Sequence, residues 1–308
     1  ARGSWLLFVD ADTTHAPHML RSVLAMALKF RTSLLSGFPR QLAASLPQKV
    51  AIPVLYFVIM SWLPLWWLQH SKRHKPSLAI GQFLLFPKDE YWKIGGHEAV
   101  KSRILEDVWL GVEVQRHGGL QMAVNLSPVV SCNMYRDVGA MWEGFVKWIY
   151  SVAAFSPALL VVLLVAGYVF FLAPFYWLWN GLFVAAAPAS WRAVVIFQIA
   201  TILAMRWLLD NHFKNSLVSG LLHPIGFSFL FLASLHAGLR RVTGAGVRWK
   251  KRLYSKESYV EKTWISASQE HEKASMWADI ALILGAYLLG SAPHLSALAK
   301  LRHANLDG

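Results

Sequence analysis

Asp10 and Asp12 stand one residue apart at the end of the apolar run Trp5-Leu6-Leu7-Phe8-Val9. Carboxylates fixed at a strand tip are hard oxygen donors. Mg²⁺ and Mn²⁺ favour such ligands and keep open positions for phosphate, so a D-x-D here suits an ion shared with a nucleotide diphosphate. The same acids also serve as loop or helix N-cap residues, and the pair alone does not decide between the two readings. A second acidic pair, Glu106-Asp107, fits either a general base that takes a proton from a hydroxyl nucleophile or an ordinary helix N-terminus favoured by the dipole. Between the pairs, Gly95-Gly96-His97 is either a tight turn or a loop whose glycines let backbone approach a ligand, with His97 in reach of a hydroxyl or phosphate.

The elements that position these residues are legible in outline. A strand leads into Asp10. The segment from His15 to Arg31 carries Met19, Val23, Met26, Ala27 and Phe30 at helical spacing after Pro17, and Leu34 to Phe38 reads as a short strand. Ala79 to Pro87 reads as a strand running into the charged helix start Lys88-Asp89-Glu90. Glu98 to Gln115 is helical with an interruption near Leu105, Leu120 to Met134 returns as strand, and Asp137 to Tyr150 is amphipathic.

Of 308 residues, 56% are hydrophobic and fifteen are tryptophan, which points to a membrane protein. Three apolar runs, Phe155 to Trp179, Trp191 to Leu209 and Leu217 to Leu239, approach the roughly 20 residues a bilayer crossing needs. Trp177, Trp179, Trp191 and Trp207 sit near their ends, where amphipathic rings prefer the headgroup zone. Val50 to Leu68 is also apolar but holds Pro53 and Pro64 and leaves through Lys72 to Lys75. A crossing there would put the two acidic pairs on opposite sides, so a helix lying in the interface is expected, with a buried hydrophobic helix as the alternative. The net charge of +13 gathers at membrane-proximal clusters, including Arg240, Arg241, Arg248, Lys250, Lys251 and Arg252, and not in a stripe interleaved with aromatics. Nucleic acid is therefore not an expected partner. Cys132 is the only cysteine, which excludes an intramolecular disulfide and a thiolate metal cage.

Gly81-Gln82-Phe83-Leu84-Leu85-Phe86-Pro87, then Gly95-Gly96-His97, then Glu106-Asp107-Val108-Trp109-Leu110-Gly111 follow the D-x-D in that order. With this order the chain resembles inverting family 2 glycosyltransferases of the GT-A fold, above all the membrane-embedded lipid enzymes related to ceramide, hopanoid and carotenoid-acid glycosyltransferases, over residues 1 to 254. The resemblance implies an α/β, partial GT-A (Rossmann-like) catalytic domain followed by an α-helical transmembrane region. It implies a hexose moved from a UDP-sugar to a membrane lipid, with inversion by in-line attack. Asp10 and Asp12 would hold Mn²⁺ or Mg²⁺ and the nucleotide, Asp12 as the direct ligand. Asp107, within Glu106-Asp107, would be the base, and Gly95, Gly96, His97 and Gln82 would line the acceptor side.

Processive members carry Q-x-x-R-W where this chain has Gly144-Phe145-Val146-Lys147-Trp148. Lys147 would act as a point charge toward diphosphate without the arginine fork, and Trp148 would lie beside it; the departure favours a single transfer over polymer synthesis. A snorkelling lysine and an interface tryptophan explain the two residues equally well. Gly246-Val247-Arg248-Trp249-Lys250-Lys251-Arg252-Leu253-Tyr254 resembles the closing segment of the lipid enzymes, with Lys251 where glycine is usual.

The expected organisation is a catalytic part over residues 1–150 with an interfacial helix near 50–68, transmembrane helices over 151–240, and a basic juxtamembrane segment and tail over 241–308. The resemblance places a first strand, a nucleotide loop and an early aspartate upstream of the D-x-D. None is in this sequence, so a truncated chain with little activity of its own is the expectation. A bacterial inner membrane with the catalytic part in the cytoplasm is the expected location. The rival readings are a polysaccharide synthase, or a non-enzymatic scaffold or transporter subunit whose carboxylates are incidental. Transporters place ionisable residues near the midplane, whereas Arg206, Asp210 and His223 lie near span ends. Three crossings would also put the basic segment on the far side from the catalytic part, against the positive-inside tendency.

Overall fold

The computed structural model describes residues 3–62, 77–101, 103, 105–184, 187–249 and 252–254. Strand β1 (Trp5–Val9) leads to Asp10, and β2 (Thr13–His15) follows at once. Helix α1 (Met19–Phe30) buries Met19, Val23 and Ala27, one face at the expected spacing, and ends on Arg31 in the left-handed region. β3 (Leu34–Phe38) is buried throughout, β4 (Arg40–Gln41) is short, and α2 is Leu46–Trp62. β5 (Phe83–Pro87) passes into α3 (Lys88–Lys93), a 3-10 turn over Gly96–Val100, and α4 (Glu106–Arg116). β6 (Gln121–Asn125) and β7 (Val130–Cys132) complete the catalytic part.

Four strands form one sheet in the order β1-β5-β3-β6, and β2-β7-β4 form a second. In the first, β5 is antiparallel to both β1 and β3, while β3 and β6 run parallel. The fold is thus mixed α/β with small sheets, and helices make up most of it. One register matters for chemistry: Val9 lies opposite Phe83. The residues just beyond, Asp10 on one strand and Gln82 and Gly81 on the other, therefore share one end of the sheet.

The remaining helices are α5 (Val138–Phe155), α6 (Pro157–Gly167), α7 (Ala173–Phe183), α8 (Ala189–His212), the single turn α9 (Val218–Leu221) and α10 (His223–Val242). α6 and α7 join through a π-helical turn, Tyr168–Leu172. Pro174 explains the disturbance, because it has no N–H for the carbonyl of Phe170 four residues back. That carbonyl accepts a hydrogen bond from Gln198 Nε2 at 3.4 Å, across from α8. The continuous stretch Pro157–Phe183 and helix Ala189–His212 are each long and apolar enough to cross a membrane.

The third apolar run departs from its expectation. It is broken at Leu222, and among the described residues only the two helices just named are long and apolar enough to span. α10 instead turns Phe227, Leu230, Ala233 and Ala237 into a core shared with Val54 and Phe57 of α2 and with Met141, Phe145 and Ile149 of α5. α2 is likewise packed, with Val50 to Val54 buried. The cationic exit at 72–75 lies outside the described residues.

The α2–α10 crossing depends on Gly226. A β-carbon there would stand 2.4 Å from the Val50 carbonyl oxygen and 2.9 Å from Val54 Cγ2, and a helix carbonyl cannot swing away. Gly226→Val is therefore expected to cost about 3 kcal/mol, the upper part of the overpacking range, read as a fall in thermal midpoint of the detergent-solubilised protein. An unchanged midpoint would mean that the two helices do not pack this closely.

Candidate active site

The sheet end described above collects the acidic residues. Asp107 is the second residue of α4, which begins after Leu105, a non-glycine residue in the left-handed region at φ 60°. That conformation costs on the order of 1–2 kcal/mol. It interrupts the helical pattern where the sequence suggested a break and starts α4 afresh at the acidic pair. Asp107 Oδ2 accepts from the Gly81 backbone N–H at 2.7 Å, and Oδ1 accepts from the Val108 N–H at 2.9 Å. Gly81 has no side chain for a reason: a β-carbon would press on Asp107 Oδ2 at 3.1 Å.

Burial pushes the Asp107 carboxyl up to about 6, with exposed Glu106 adding to the rise; the two backbone hydrogen bonds and the Lys147 charge pull against it. Lys147, on α5, is thus close enough to act on Asp107, a juxtaposition the sequence did not show. Trp148 goes elsewhere and packs partly buried against the helical core. Gly144, at the glutamine position of the processive motif, gives room to Tyr135, whose ring would lie 2.5 Å from a β-carbon there.

Asp10 and Asp12 are exposed. The turn between them and β2 is fixed by Thr13, whose N–H and Oγ1 both donate to the Asp10 carbonyl, at 3.1 and 2.7 Å. Asn133 N–H donates to the Asp12 carbonyl at 3.0 Å. Behind the pair runs a buried polar relay that sequence reasoning missed. Gln41 Nε2 donates to Gln82 Oε1 at 2.9 Å, Gln82 Nε2 donates to Cys132 Sγ at 3.0 Å, and the thiol faces Asp12 Oδ1 at 3.5 Å. Burial, with the nearby Asp12 and Asp10 charges, holds the Cys132 thiol well above its ordinary range. Gln82, expected on the acceptor side, is buried with both ends of its amide bonded inside the protein, next to the Gly81 that holds Asp107.

Gly95 and Gly96 take φ of 77° and 55°, and a β-carbon on Gly96 would strike the Tyr91 ring at 2.6 Å. The turn delivers His97 to Tyr91: the Tyr91 hydroxyl meets His97 Nδ1 at 2.8 Å and accepts from the His97 N–H at 3.0 Å. The imidazole also packs on Phe8 at 4.7 Å between ring centroids. Burial holds His97 below its usual value, and Glu106 opposes this. The 3-10 turn that carries His97 packs against α4, which begins at the acidic pair.

Two exposed carboxylates at a rigid strand tip suit Mg²⁺ or Mn²⁺, which bind through one or two carboxylates and take their remaining ligands from phosphate and water. Among the described residues no three His, Cys, Asp or Glu side chains are grouped to hold an ion by themselves. The donor set therefore fits an ion shared with a substrate phosphate.

A second polar cluster lies in the helical part. Arg206 and Asp210 of α8 are 0% and 1% exposed and 3.2 Å apart, and Arg206 Nη2 also donates to Ser219 Oγ. The guanidinium lies over the Phe57 ring at 5.6 Å, and buried His223 packs against Phe57 at 5.0 Å. The cluster ties α8, α9 and α10 to α2.

A half-buried carboxylate held by Gly81 thus lies at the sheet end that also carries Asp10 and Asp12, in a chain with two helices long and apolar enough to cross a membrane. The chain belongs to glycosyl transferase family 21, whose model matches residues 1–257. The sequence resemblance pointed to family 2 enzymes of related lipid chemistry, and the family that is shown is 21. Membership makes the protein a transferase that moves sugar to a lipid-like acceptor. No curated protein matches the chain significantly.

Proposed function

We propose that the protein moves one hexose, with inversion, from a UDP-sugar to the hydroxyl of a membrane lipid at the cytoplasmic face. The observation that carries this reading is Asp107: a carboxylate lifted to about 6, held by Gly81 and Val108, at the sheet end that also carries the D-x-D. Asp107 takes the proton of the acceptor hydroxyl as its oxygen attacks the anomeric carbon. Asp10 and Asp12 would hold a divalent ion, which would supply charge stabilisation to the leaving diphosphate. Lys147 biases Asp107 toward its ionised form, and the turn of Gly95, Gly96 and His97 orients the acceptor. The GT-A arrangement of the catalytic part and the bacterial inner membrane belong to the same proposal.

Two crossings, by 157–183 and 189–212, return the chain to its starting side. Arg240, Arg241 and Arg248 then fall on the catalytic side, in keeping with the positive-inside tendency. Two features support this: Asn125 Nδ2 and Ser127 Oγ donate to the His212 carbonyl at 3.0 and 3.4 Å, so the end of α8 docks on the catalytic sheet.

The test is transfer of labelled UDP-hexose in membranes carrying the protein expressed from its complete gene, with Mn²⁺, followed across pH. Label is expected in the organic extract, and kcat/KM is expected to rise with pH through about 6 and then level, because the ionised base is the active form. Label in insoluble polymer would replace the reading with a synthase, and no transfer from any nucleotide sugar would end it. The same shift bears on stability with the opposite sign. The folded value lies above the ordinary 3.8, so the folded state holds this proton more tightly, and the stability this adds in acid is lost as pH rises through about 6.

A further inference from the structure

Between β4, the start of α2 and the turn after α8 lies an open cavity of about 360 Å³. Its cations come from three separate segments: Arg40, Lys49 and Lys214. No acidic residue is among its described lining, and none of the three cations is in a described ion pair. Leu42, Ile52 and Pro53 supply apolar wall. Gln41 lines it too, 8% exposed, and its Oε1 has no hydrogen-bond partner among the described residues, although its Nε2 serves Tyr56 and Gln82. The volume is that of a small-molecule site. Positive charge without counter-charge beside an apolar flank fits a phosphate diester that carries hydrocarbon on one side.

Position selects the source of that phosphate. Lys214 is the second residue after α8, whose end is fixed to the catalytic sheet through the His212 carbonyl. If α8 spans the membrane, as the proposed function holds, the cavity lies at headgroup level on the catalytic side, where each cation favours anionic lipid by about 1 kcal/mol. We propose that this cavity binds the headgroup of an anionic glycerophospholipid, with Arg40, Lys49 and Lys214 on the phosphate. The cavity adjoins the D-x-D loop: Gln41 begins the relay that ends at Asp12, and Asn133, also in the lining, donates its N–H to the Asp12 carbonyl.

The probe is dioctanoyl-phosphatidylglycerol, titrated against the full 308-residue chain in neutral detergent and read by native mass spectrometry. A single saturable adduct is expected, weakened about a hundredfold in the R40Q/K49Q/K214Q variant, the effect of removing three headgroup-level cations. It should persist in R240Q/R241Q, which thins the basic segment elsewhere. Three results would each overturn the proposal: equal binding by the triple variant, loss of binding in R240Q/R241Q instead, or full competition by inorganic phosphate or UDP at the same concentration, which would make the cavity a free-phosphate or nucleotide site. The readout needs no transfer activity, so it stands or falls separately from the reaction assigned above.

Discussion

Asp107→Asn is expected to lower kcat for sugar transfer by about 10²- to 10⁴-fold, the usual contribution of a positioned general base, with little change in KM for the nucleotide sugar. Asparagine keeps the shape, but its one carbonyl oxygen can accept from only one of the Gly81 and Val108 N–H groups while its NH2 faces the other, so a thermal melt run beside the kinetics separates a lost base from a loosened loop. What it loses is proton affinity. Burial raises this aspartate to about 6, and the Val108 and Gly81 hydrogen bonds, then the Lys147 charge, keep it from rising further. The pH step near 6 should vanish with the activity. A variant retaining more than a tenth of kcat, with the step intact, would move the base elsewhere, and Glu106 is the neighbour to examine next.

Asp210→Ala is expected to destabilise the helical part by about 3–5 kcal/mol, the cost of stripping one partner from a buried ion pair. Arg206 is 0% exposed and would keep only Ser219 as a described hydrogen-bond partner. The loss should appear as a markedly lower thermal midpoint in detergent and as poor recovery from membranes. The Arg206→Met/Asp210→Leu double variant should regain most of the lost stability, since it leaves no charge in the apolar interior. If Asp210→Ala melts like the parent, water reaches the pair and the cluster does not hold α8 to its neighbours.

Much of the order of elements was readable because short-range patterns cause it. Met19, Val23 and Ala27 recur at helical spacing and are the residues α1 buries. The apolar run before Asp10 is β1, and the break near Leu105 is the left-handed residue that restarts the chain as α4. The strand expected from Ala79 begins only at Phe83, because Gly81 and Gln82 leave the ladder to hold Asp107 and Gln41. Hydropathy alone gave the third apolar run the length of a span, and it could not show that Gly226 would press that helix against α2.

The sequence by itself determined the composition of the site: two acids after a strand, an acid pair at a helix start, and glycines between them. Those follow from local chemistry, where one residue type is needed at one backbone position. Tertiary structure decided what the residues face. The Val9–Phe83 register brings Asp10 level with the loop that holds Asp107. Gln82 turns inward because Gln41 and Cys132 satisfy both ends of its amide, and the fold brings the Lys147 charge of α5 to bear on Asp107. Arg40, Lys49 and Lys214 meet only when β4, α2 and the end of α8 converge. Burial, charge coupling and cavity shape depend on neighbours distant in the chain, and no spacing rule carries that information.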